Sequence, residues 1–379
     1  MSEPIRVLHV LGGTNLGGAE SRVMDLYRHL DRDRMQFDFA VHTNEPGFFD
    51  KEIEALGGQI YRLPRFKVYN WMAYKKAWQQ FFAQQNRFAA VHGHMTSTAA
   101  IYLPVAKKSG IPVTIAHARS AGTDAGLKGM LTRIIRKNLW KKTDYCFACS
   151  GLAGEAVFGS RAQRQGLVHV IPNAIALQKY TYDPEMRAQM RSSLGLEEKI
   201  VIGHVGRFHA AKNHPFLLEV FAAFAKLETE AVLILLGEGE GMEEAKKRAA
   251  ELGIGEKVRF LGKQSNVADY YQAMDALLFP SLYEGMPGTV LEAQAAGLPC
   301  LISDTITEEA GVTELVTYKS LSDPAADWAA CLQKKLQDAQ QRYSRLENLR
   351  TAGFDVSQQA AKIMDFYEKE EPLWYNRSF

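Results

Sequence analysis

Residues 276–303 read ALLFPSLYEGMPGTVLEAQAAGLPCLIS. An apolar run, Ala276–Phe279, precedes a loop rich in Gly and Pro. A helical pattern follows near Thr289–Ala296, and a second apolar run, Cys300–Ser303, ends the stretch. A strand, a loop, a helix and a strand in this order predict a βαβ unit of a parallel sheet covered by helices on both faces.

The same alternation of apolar runs and helical patterns fills the rest of the chain. In the first half the β-rich runs are Ile5–Leu11, Gln36–Thr43, Gln59–Leu63, Ala89–His94, Val113–Ala116, Tyr145–Cys149 and Val168–Ile171. The pattern then restarts with Ile200–Val205, Ala231–Leu236 and Val258–Leu261. We therefore predict two consecutive α/β domains, residues 1–175 and 176–355, with a hinge between Pro172 and Leu196. A polar ligand is expected in a cleft between two such domains.

Composition narrows the class of protein. The chain has 379 residues, of which 46% are apolar and 23% charged, as expected for a folded protein of about two domains. A formal net charge of +2 argues against a polybasic nucleic-acid-binding protein. Four cysteines indicate a reducing compartment. With no recognisable export signal or apolar span, we expect a cytoplasmic protein that is at most peripheral to a membrane.

Three loops that follow predicted strands carry candidate binding residues. Gly12–Glu20 is rich in glycine, which suits either close approach to an anion or a tight turn. Arg207 and Lys212 flank the loop after Ile200–Val205. Two cations at this position could bind a diphosphate. Alternatively, they are two charged residues of a solvated loop. Glu284 and Glu292 flank the Gly-rich loop of the opening stretch. Their carboxylates could accept hydrogen bonds from a sugar and a ribose, while N–H groups of the loop and helix hold phosphates.

This last segment closely resembles the motif of Glu, seven residues and Glu in the retaining glycosyltransferases of family 4. That family has the GT-B fold, in which two Rossmann-like α/β domains face each other across a cleft. The agreement runs through Glu284–Pro287, Leu291–Ala293 and Ala296–Pro299. Further segments resemble the family in its own order, namely Gly17–Glu20, Ile171–Asn173, Val205–Arg207 with Lys212–Asn213, and Leu236–Gly239.

The resemblance implies an enzyme that moves a sugar from a nucleotide-diphosphate sugar to an acceptor. The N-terminal domain would bind the acceptor and the C-terminal domain the donor, and the last helix, 356–379, would pack back on the N-terminal domain. Glu284 would contact the transferred sugar, Arg207 and Lys212 would neutralise the diphosphate, and His117 would lie near the donor sugar. These four residues are the expected catalytic set.

The resemblance also implies the remaining donor contacts. Glu292 would bind the ribose, and further donor-binding residues would be Gly17, Gly18, Gly285, Met286, Pro287, Gly288 and Thr289. No metal or other cofactor is expected, because the two cations already face the diphosphate. Met286, Gly288 and Thr289 depart from the commonest pattern of the family, which leaves the identity of the sugar open.

The expected donor is a UDP-sugar, and the expected acceptor is a glycan or polyprenyl-linked glycan of exopolysaccharide or capsule synthesis. Two alternatives stay open. A sugar-nucleotide epimerase of the same fold class would also bind a nucleotide sugar between two α/β domains. A non-catalytic nucleotide-sugar-binding subunit would retain the same residues. His117 could also be a satisfied histidine at the end of a strand.

Residues 127–142 mix basic and apolar side chains and contain no acid. They predict a basic amphipathic helix that lies on the anionic inner face of the cell membrane, or one that packs on the sheet with its basic residues in solvent. Aromatic and basic residues mix again at Tyr61–Trp71, which could border the entrance for the acceptor.

Three weaker patterns predict no chemistry. Asp31–Asp33 has the Asp-x-Asp spacing of metal-dependent glycosyltransferases but follows a helix, so we expect a solvated loop. Cys146 and Cys149 lie in an apolar strand and are expected to be buried. His92 and His94 share one face of a strand end, but without a carboxylate or thiol nearby they do not predict a zinc site.

Overall fold

The computed structural model describes residues 3–119, 126–338 and 342–369. The chain divides into two compact units, one formed by Met1–Ala174 with Asp355–Phe379 and the other by Ile175–Phe354. Each unit has its own sheet, and all strand pairs within the two sheets are parallel.

The first unit has a seven-stranded sheet in the order β3-β2-β1-β4-β5-β6-β7. Its strands are β1 (Ile5–Leu11), β2 (Met35–Val41), β3 (Ile60–Arg62), β4 (Phe88–Gly93), β5 (Val113–Ala118), β6 (Tyr145–Ala148) and β7 (Val168–Val170). Its helices are α1 (Gly18–Arg28), α2 (Asp50–Ala55), α3 (Trp71–Gln84), α4 (Thr96–Lys108), α5 (Gly126–Arg136), α6 (Gly151–Phe158) and α7 (Ser160–Arg164).

The second unit has a six-stranded sheet in the order β10-β9-β8-β11-β12-β13. Its helices and strands are α8 (Pro184–Ser193), β8 (Ile200–Val205), α9 (His214–Leu227), β9 (Ala231–Leu236), α10 (Met242–Glu251), β10 (Val258–Gly262), α11 (Val267–Ala273), β11 (Ala276–Phe279), α12 (Gly288–Ala295), β12 (Cys300–Ser303), β13 (Val316–Lys319), α13 (Ala325–Gln337) and α14 (Leu346–Thr351).

The last described helix, α15 (Val356–Lys369), belongs to the first unit and packs against α1. The Phe366 ring lies 5.0 Å from the ring of Tyr145 and 5.3 Å from that of Phe147, measured between ring centroids. Residues 370–379 of the expected helix 356–379 lie outside the described residues.

Burial explains why the strands read as continuous apolar runs. All six residues of β9 are buried, because helices cover the sheet on both faces. The strand order reverses between β1 and β4 in one sheet and between β8 and β11 in the other. At such switch points the loops beyond the carboxyl ends of adjacent strands separate and leave room for a ligand.

Residues 127–142 do not form the single helix that their composition predicts. Helix α5 ends at Arg136, and Asn138 has the left-handed backbone conformation, with φ 57°. A short 3₁₀ turn, Leu139–Lys141, follows. The expectation of one helix was therefore wrong, because a residue in this conformation ends an α-helix. The side chains of Leu127 and Lys128 lie outside the described part of the chain.

Candidate functional site

The loops after β8 and β11 bring Lys212 and Glu284 together. Lys212 ends a 3₁₀ turn, Ala210–Lys212, and its Nζ lies 2.6 Å from Glu284 Oε1. A backbone hydrogen bond of 2.8 Å from Leu282 N–H to the Ala211 carbonyl ties the two loops together. The Lys212 ammonium also lies 4.5 Å from the centre of the Phe279 ring. Both charged side chains are half-buried, with 19% and 17% of their surface exposed, so an ion can still reach them.

Arg207 lies two residues after the end of β8 and is exposed. Its loop is held by the turn after β9, where Gly237 and Gly239 have φ values of 137° and 155°. A Cβ at Gly237 would lie 2.0 Å from the Gly206 carbonyl oxygen, and one at Gly239 would lie 2.3 Å from that of Phe208. Only glycine permits this approach, which explains the glycine turn quoted from the sequence.

Helix α12 presents its N-terminus beside this pair of loops. Pro287 is the N-cap residue and supplies no side-chain acceptor. Within the described part of the chain, the amide groups of Gly288 and Thr289 have no hydrogen-bond acceptor. The Thr289 hydroxyl donates to the Val205 carbonyl at 3.3 Å, which joins the start of α12 to the end of β8. Unpaired amides and the helix dipole favour an anion at this point.

Glu292 lies one turn into α12 and is buried, with 8% exposed. The Tyr271 hydroxyl of α11 donates a 3.0 Å hydrogen bond to Glu292 Oε2. The pKa of Tyr271 is raised well above its ordinary value, mainly by burial and secondly by the negative charge of Glu292. The Tyr271 hydroxyl therefore stays protonated and can donate. Gly285, Met286 and Pro287 are buried in the loop before the helix.

The expected site residues therefore fall into two groups. Arg207, Lys212, Glu284, Gly285–Thr289 and Glu292 all belong to the second unit and lie around the ends of β8 and β11. Gly17, Gly18 and His117 belong to the first unit. Gly17 is the N-cap residue of α1 and Gly18 its first residue. His117 lies inside β5 and is completely buried.

His117 belongs to a cluster of buried histidines that the sequence did not predict. His9, on β1, and His92, on β4, are register partners on adjacent strands. The His92 and His117 rings approach with Nε2 and Nδ1 2.9 Å apart, and His9 Nδ1 lies 2.9 Å from His94 Nε2. Burial lowers the pKa of His9 to about 3 and the pKa values of the other three well below the ordinary value. All four rings are therefore neutral at physiological pH.

The partners of these rings define which nitrogen carries each proton. Arg119 Nε always donates, and it lies 3.2 Å from His94 Nδ1, so neutral His94 carries its proton on Nε2 and donates to His9. The hydroxyl oxygen of Tyr367, on α15, lies 2.5 Å from His92 Nδ1. If this hydroxyl donates there, His92 donates to His117, and the Nε2–H groups of His9 and His117 are left unpaired. Neither His9 Nε2 nor His117 Nε2 has a partner among the described residues.

The same cluster could in principle bind a metal ion. One ring nitrogen each from His9, His92 and His94 lies within 4.8 Å of the others. However, the His9–His94 hydrogen bond already uses two nitrogens, and the Arg119 cation directly beside His94 repels a metal ion. We therefore interpret the cluster as a hydrogen-bonded network.

The weaker sequence patterns have simple structural explanations. Asp31–Asp33 forms an exposed turn. Cys146 and Cys149 are buried thiols, and burial raises the pKa of Cys146 to about 12. None of the described helices combines the length and the hydropathy of a membrane span.

Comparison with known proteins identifies the family. The protein-family model described as Glycosyltransferase Family 4 matches residues 16–179 of the chain. A second family model, described as Glycosyl transferases group 1, matches residues 186–348. The chain is 33% identical over 380 residues to the putative glycosyltransferase EpsF of Bacillus subtilis (strain 168), with 98% of each chain covered. It is 24% identical to the capsular polysaccharide biosynthesis glycosyltransferase CapH of Staphylococcus aureus, with 96% of this chain and 98% of CapH covered.

A solved structure confirms the fold. The crystal structure of Anabaena HepE in complex with UDP and glucose has a TM-score of 0.80 to this chain at 16% identity. The match covers 96% of this chain and 100% of HepE. The GT-B fold expected from the sequence is thus confirmed, as is the assignment to the glycosyltransferases. On its motifs, its fold and its relatives, the chain belongs to glycosyltransferase family 4.

Proposed function

We propose that the chain is a retaining, metal-independent glycosyltransferase that uses a UDP-sugar and acts in the synthesis of an exopolysaccharide, capsule or similar cell-surface glycan. The observation that carries the proposal is the Lys212–Glu284 ion pair beside the free N-terminus of α12. It places a cation, a carboxylate and unpaired amides at the switch point of the second sheet.

The second unit would bind the donor. The diphosphate would lie against Lys212, Arg207 and the amides of Gly288 and Thr289, and buried Glu292 would accept hydrogen bonds from the ribose. Glu284 would then bind hydroxyls of the transferred sugar. Breaking the glycosidic bond leaves negative charge on the diphosphate, so cations held there stabilise the transition state.

The charge balance supports a reaction without a bound metal. Lys212 and Arg207 would neutralise the diphosphate in place of a divalent cation. Retention of configuration would follow from attack by the acceptor on the face that the leaving group departs from, which needs no protein nucleophile. His117 of the first unit stays a proposed catalytic residue, and its buried Nε2 has no partner among the described residues.

The identity of donor and product rests on relatives. HepE was crystallised with UDP and glucose, and CapH is named for capsular polysaccharide biosynthesis. We infer a UDP-sugar donor and a polysaccharide precursor as acceptor, in the form of a glycan or polyprenyl-linked glycan bound by the first unit.

Surface chemistry supports a peripheral position on the inner face of the cell membrane. On α5, Met130 and Ile134 are 46% and 59% exposed, and basic Arg133 is exposed beside them, as is Lys137 directly after the helix. Lys141 ends the 3₁₀ turn that follows α5, Lys142 comes directly after it, and both are exposed. Apolar and basic side chains on one surface are typical of contact with anionic lipid.

A transfer assay tests the proposal. Purified enzyme would be incubated with UDP-sugars and lipid-linked saccharide acceptors in the presence of EDTA, and the anomeric configuration of the product determined by NMR. We expect an α-linked product from an α-linked donor, and loss of product in Glu284→Ala. Interconversion of UDP-sugars without an acceptor would instead identify an epimerase, and unchanged donor with every acceptor would favour a non-catalytic subunit.

A further inference from the structure

A cavity of about 1080 Å³ lies in the first unit, beyond the carboxyl ends of β1, β2 and β4. Gly12 contributes from the end of β1, His42 from the end of β2, and His94 from the end of β4. The cavity thus lies at the switch point of the first sheet, the position equivalent to the donor loops in the second sheet.

The charged side chains that line this cavity are all basic. Arg65, Lys67 and Arg136 line it, and no acidic residue of the described chain does. Arg136 is only 8% exposed and donates a 3.0 Å hydrogen bond to the Ala156 carbonyl. No carboxylate of the described residues pairs with this guanidinium. A buried cation without a counter-ion is costly unless an anion binds beside it.

The N-terminus of α4 opens into the same cavity. Met95 is its N-cap residue and supplies no side-chain acceptor. In the part of the chain that the structure describes, the amides of Thr96 and Ser97 have no hydrogen-bond acceptor. Both residues line the cavity, so two amides and two hydroxyls add to the three cations.

One side of the cavity is apolar and continues onto the surface. Phe66, Val68, Leu131 and Ile135 line it. Val68 is 54% exposed, and its neighbour Tyr69 is 84% exposed. The cavity therefore combines an anion-binding end with an apolar flank that reaches the solvent.

We propose that this cavity binds a phosphate or diphosphate group of the acceptor. The inference rests on the proposed function, since it takes the first unit as the acceptor domain. Arg65, Lys67 and Arg136 neutralise the anion, the amides of Thr96 and Ser97 donate to its oxygens, and the apolar flank contacts the chain that carries it. The acceptor class is thus a phosphorylated one, and a prenyl diphosphate fits both ends of the cavity.

Calorimetric titration tests whether the cavity binds such a group. The probes are geranyl diphosphate, inorganic pyrophosphate and geraniol. UDP is kept saturating, so that the donor site does not bind the probes. The test variant is Arg65→Gln with Lys67→Gln. The matched control is Lys75→Gln with Lys76→Gln, which removes two exposed charges of α3 outside the cavity. We expect geranyl diphosphate to bind about tenfold or more weakly to the test variant and unchanged to the control.

The outcomes separate the possible sources of the anion. A clear preference for geranyl diphosphate over pyrophosphate supports a lipid-linked acceptor, and equal affinities support a soluble phosphorylated one. Unchanged affinity in the test variant, or geraniol binding as tightly as its diphosphate, would overturn the inference. UDP binding is measured in the same proteins and should be equal in all three. Its absence from the wild type would contradict the donor site independently of the probe results.

Discussion

The ammonium group of Lys212 lies 2.6 Å from a carboxylate oxygen of Glu284, although the two residues are 72 positions apart in the sequence. Each side chain neutralises the other while no ligand is present. A diphosphate would compete for Lys212 and release Glu284, whose carboxylate could then accept hydrogen bonds from sugar hydroxyls. In the proposed function the pair would thus link binding of the leaving group to recognition of the sugar.

Replacing Lys212 by Gln should lower kcat/KM by about 10²–10³, because a fixed positive charge would no longer face the developing charge on the diphosphate. Glu284→Gln should weaken binding of the UDP-sugar more than binding of UDP, since the proposed partner of Glu284 is the sugar alone. Steady-state kinetics and UDP titration measure the two effects. Lys246→Gln on α10 is the control for loss of an exposed charge. Wild-type kinetics in Lys212→Gln would show that Lys212 is not part of the site.

Tyr271→Phe should weaken UDP binding through Glu292. The variant leaves the buried carboxylate without the 3.0 Å hydrogen bond from the Tyr271 hydroxyl, a loss of about 1–2 kcal/mol. We expect a roughly tenfold higher Kd for UDP by calorimetry. Tyr270→Phe, at the neighbouring position of α11, should leave the Kd unchanged. Equal affinities in the two variants would mean that Glu292 does not contact the nucleotide.

The buried histidines make the fold sensitive to mild acid. Burial lowers the pKa of His9 to about 3 and that of His214 to about 4, against an unfolded value of 6.5. Between these values the unfolded chain binds more protons, so stability is full above about pH 6.5 and falls as pH decreases. Each such histidine contributes up to about 1.4 kcal/mol per pH unit.

Scanning calorimetry from pH 7.5 down to pH 4.5 measures this loss. We expect the Tm to fall from about pH 6.5 downward, well above the range in which carboxylates such as Asp50 and Asp144, whose pKa values are lowered, begin to protonate. A Tm that stays constant down to pH 4.5 would show that these rings are not buried neutral.

Neutralising Lys137, Lys141 and Lys142 with Gln should weaken binding to vesicles that contain phosphatidylglycerol. Basic residues near an anionic surface contribute about 1 kcal/mol each, so the partition constant should fall about 100-fold. Replacing Lys226, Lys246 and Lys247 of the second unit removes the same charge elsewhere and should have little effect. Co-sedimentation measures both, and equal loss in the two triple variants would indicate a general charge effect.

Much of the fold could be predicted from apolar runs. β1, β8, β9, β11 and β12 begin and end where their runs do, because strands buried on both faces leave an uninterrupted pattern. β13 escaped prediction because its residues are only half-buried. α8 escaped it because most of its residues are polar. Asp183 caps α8, and Arg187 and Arg191 hold it through ion pairs with Asp275.

The loops of the candidate site in the second unit could be located from sequence because their residues lie in short contiguous motifs. The histidine network could not, because its members come from distant strands and from α15. His92 and Tyr367 are 275 positions apart, and no local pattern indicates such a contact. The break in residues 127–142 was missed because Asn138 adopts its backbone conformation without a glycine to signal it.

Binding of a nucleotide diphosphate by the second unit through Lys212 and Arg207 can be measured as thermal stabilisation by UDP, GDP and ADP in the presence of EDTA. At about 100 times its dissociation constant a ligand stabilises the folded state by about 2.7 kcal/mol. We expect a rise in Tm with UDP that persists in EDTA and is lost in the double variant Arg207→Ala with Lys212→Gln. No rise with any of the nucleotides, or the same rise in the double variant, would contradict it.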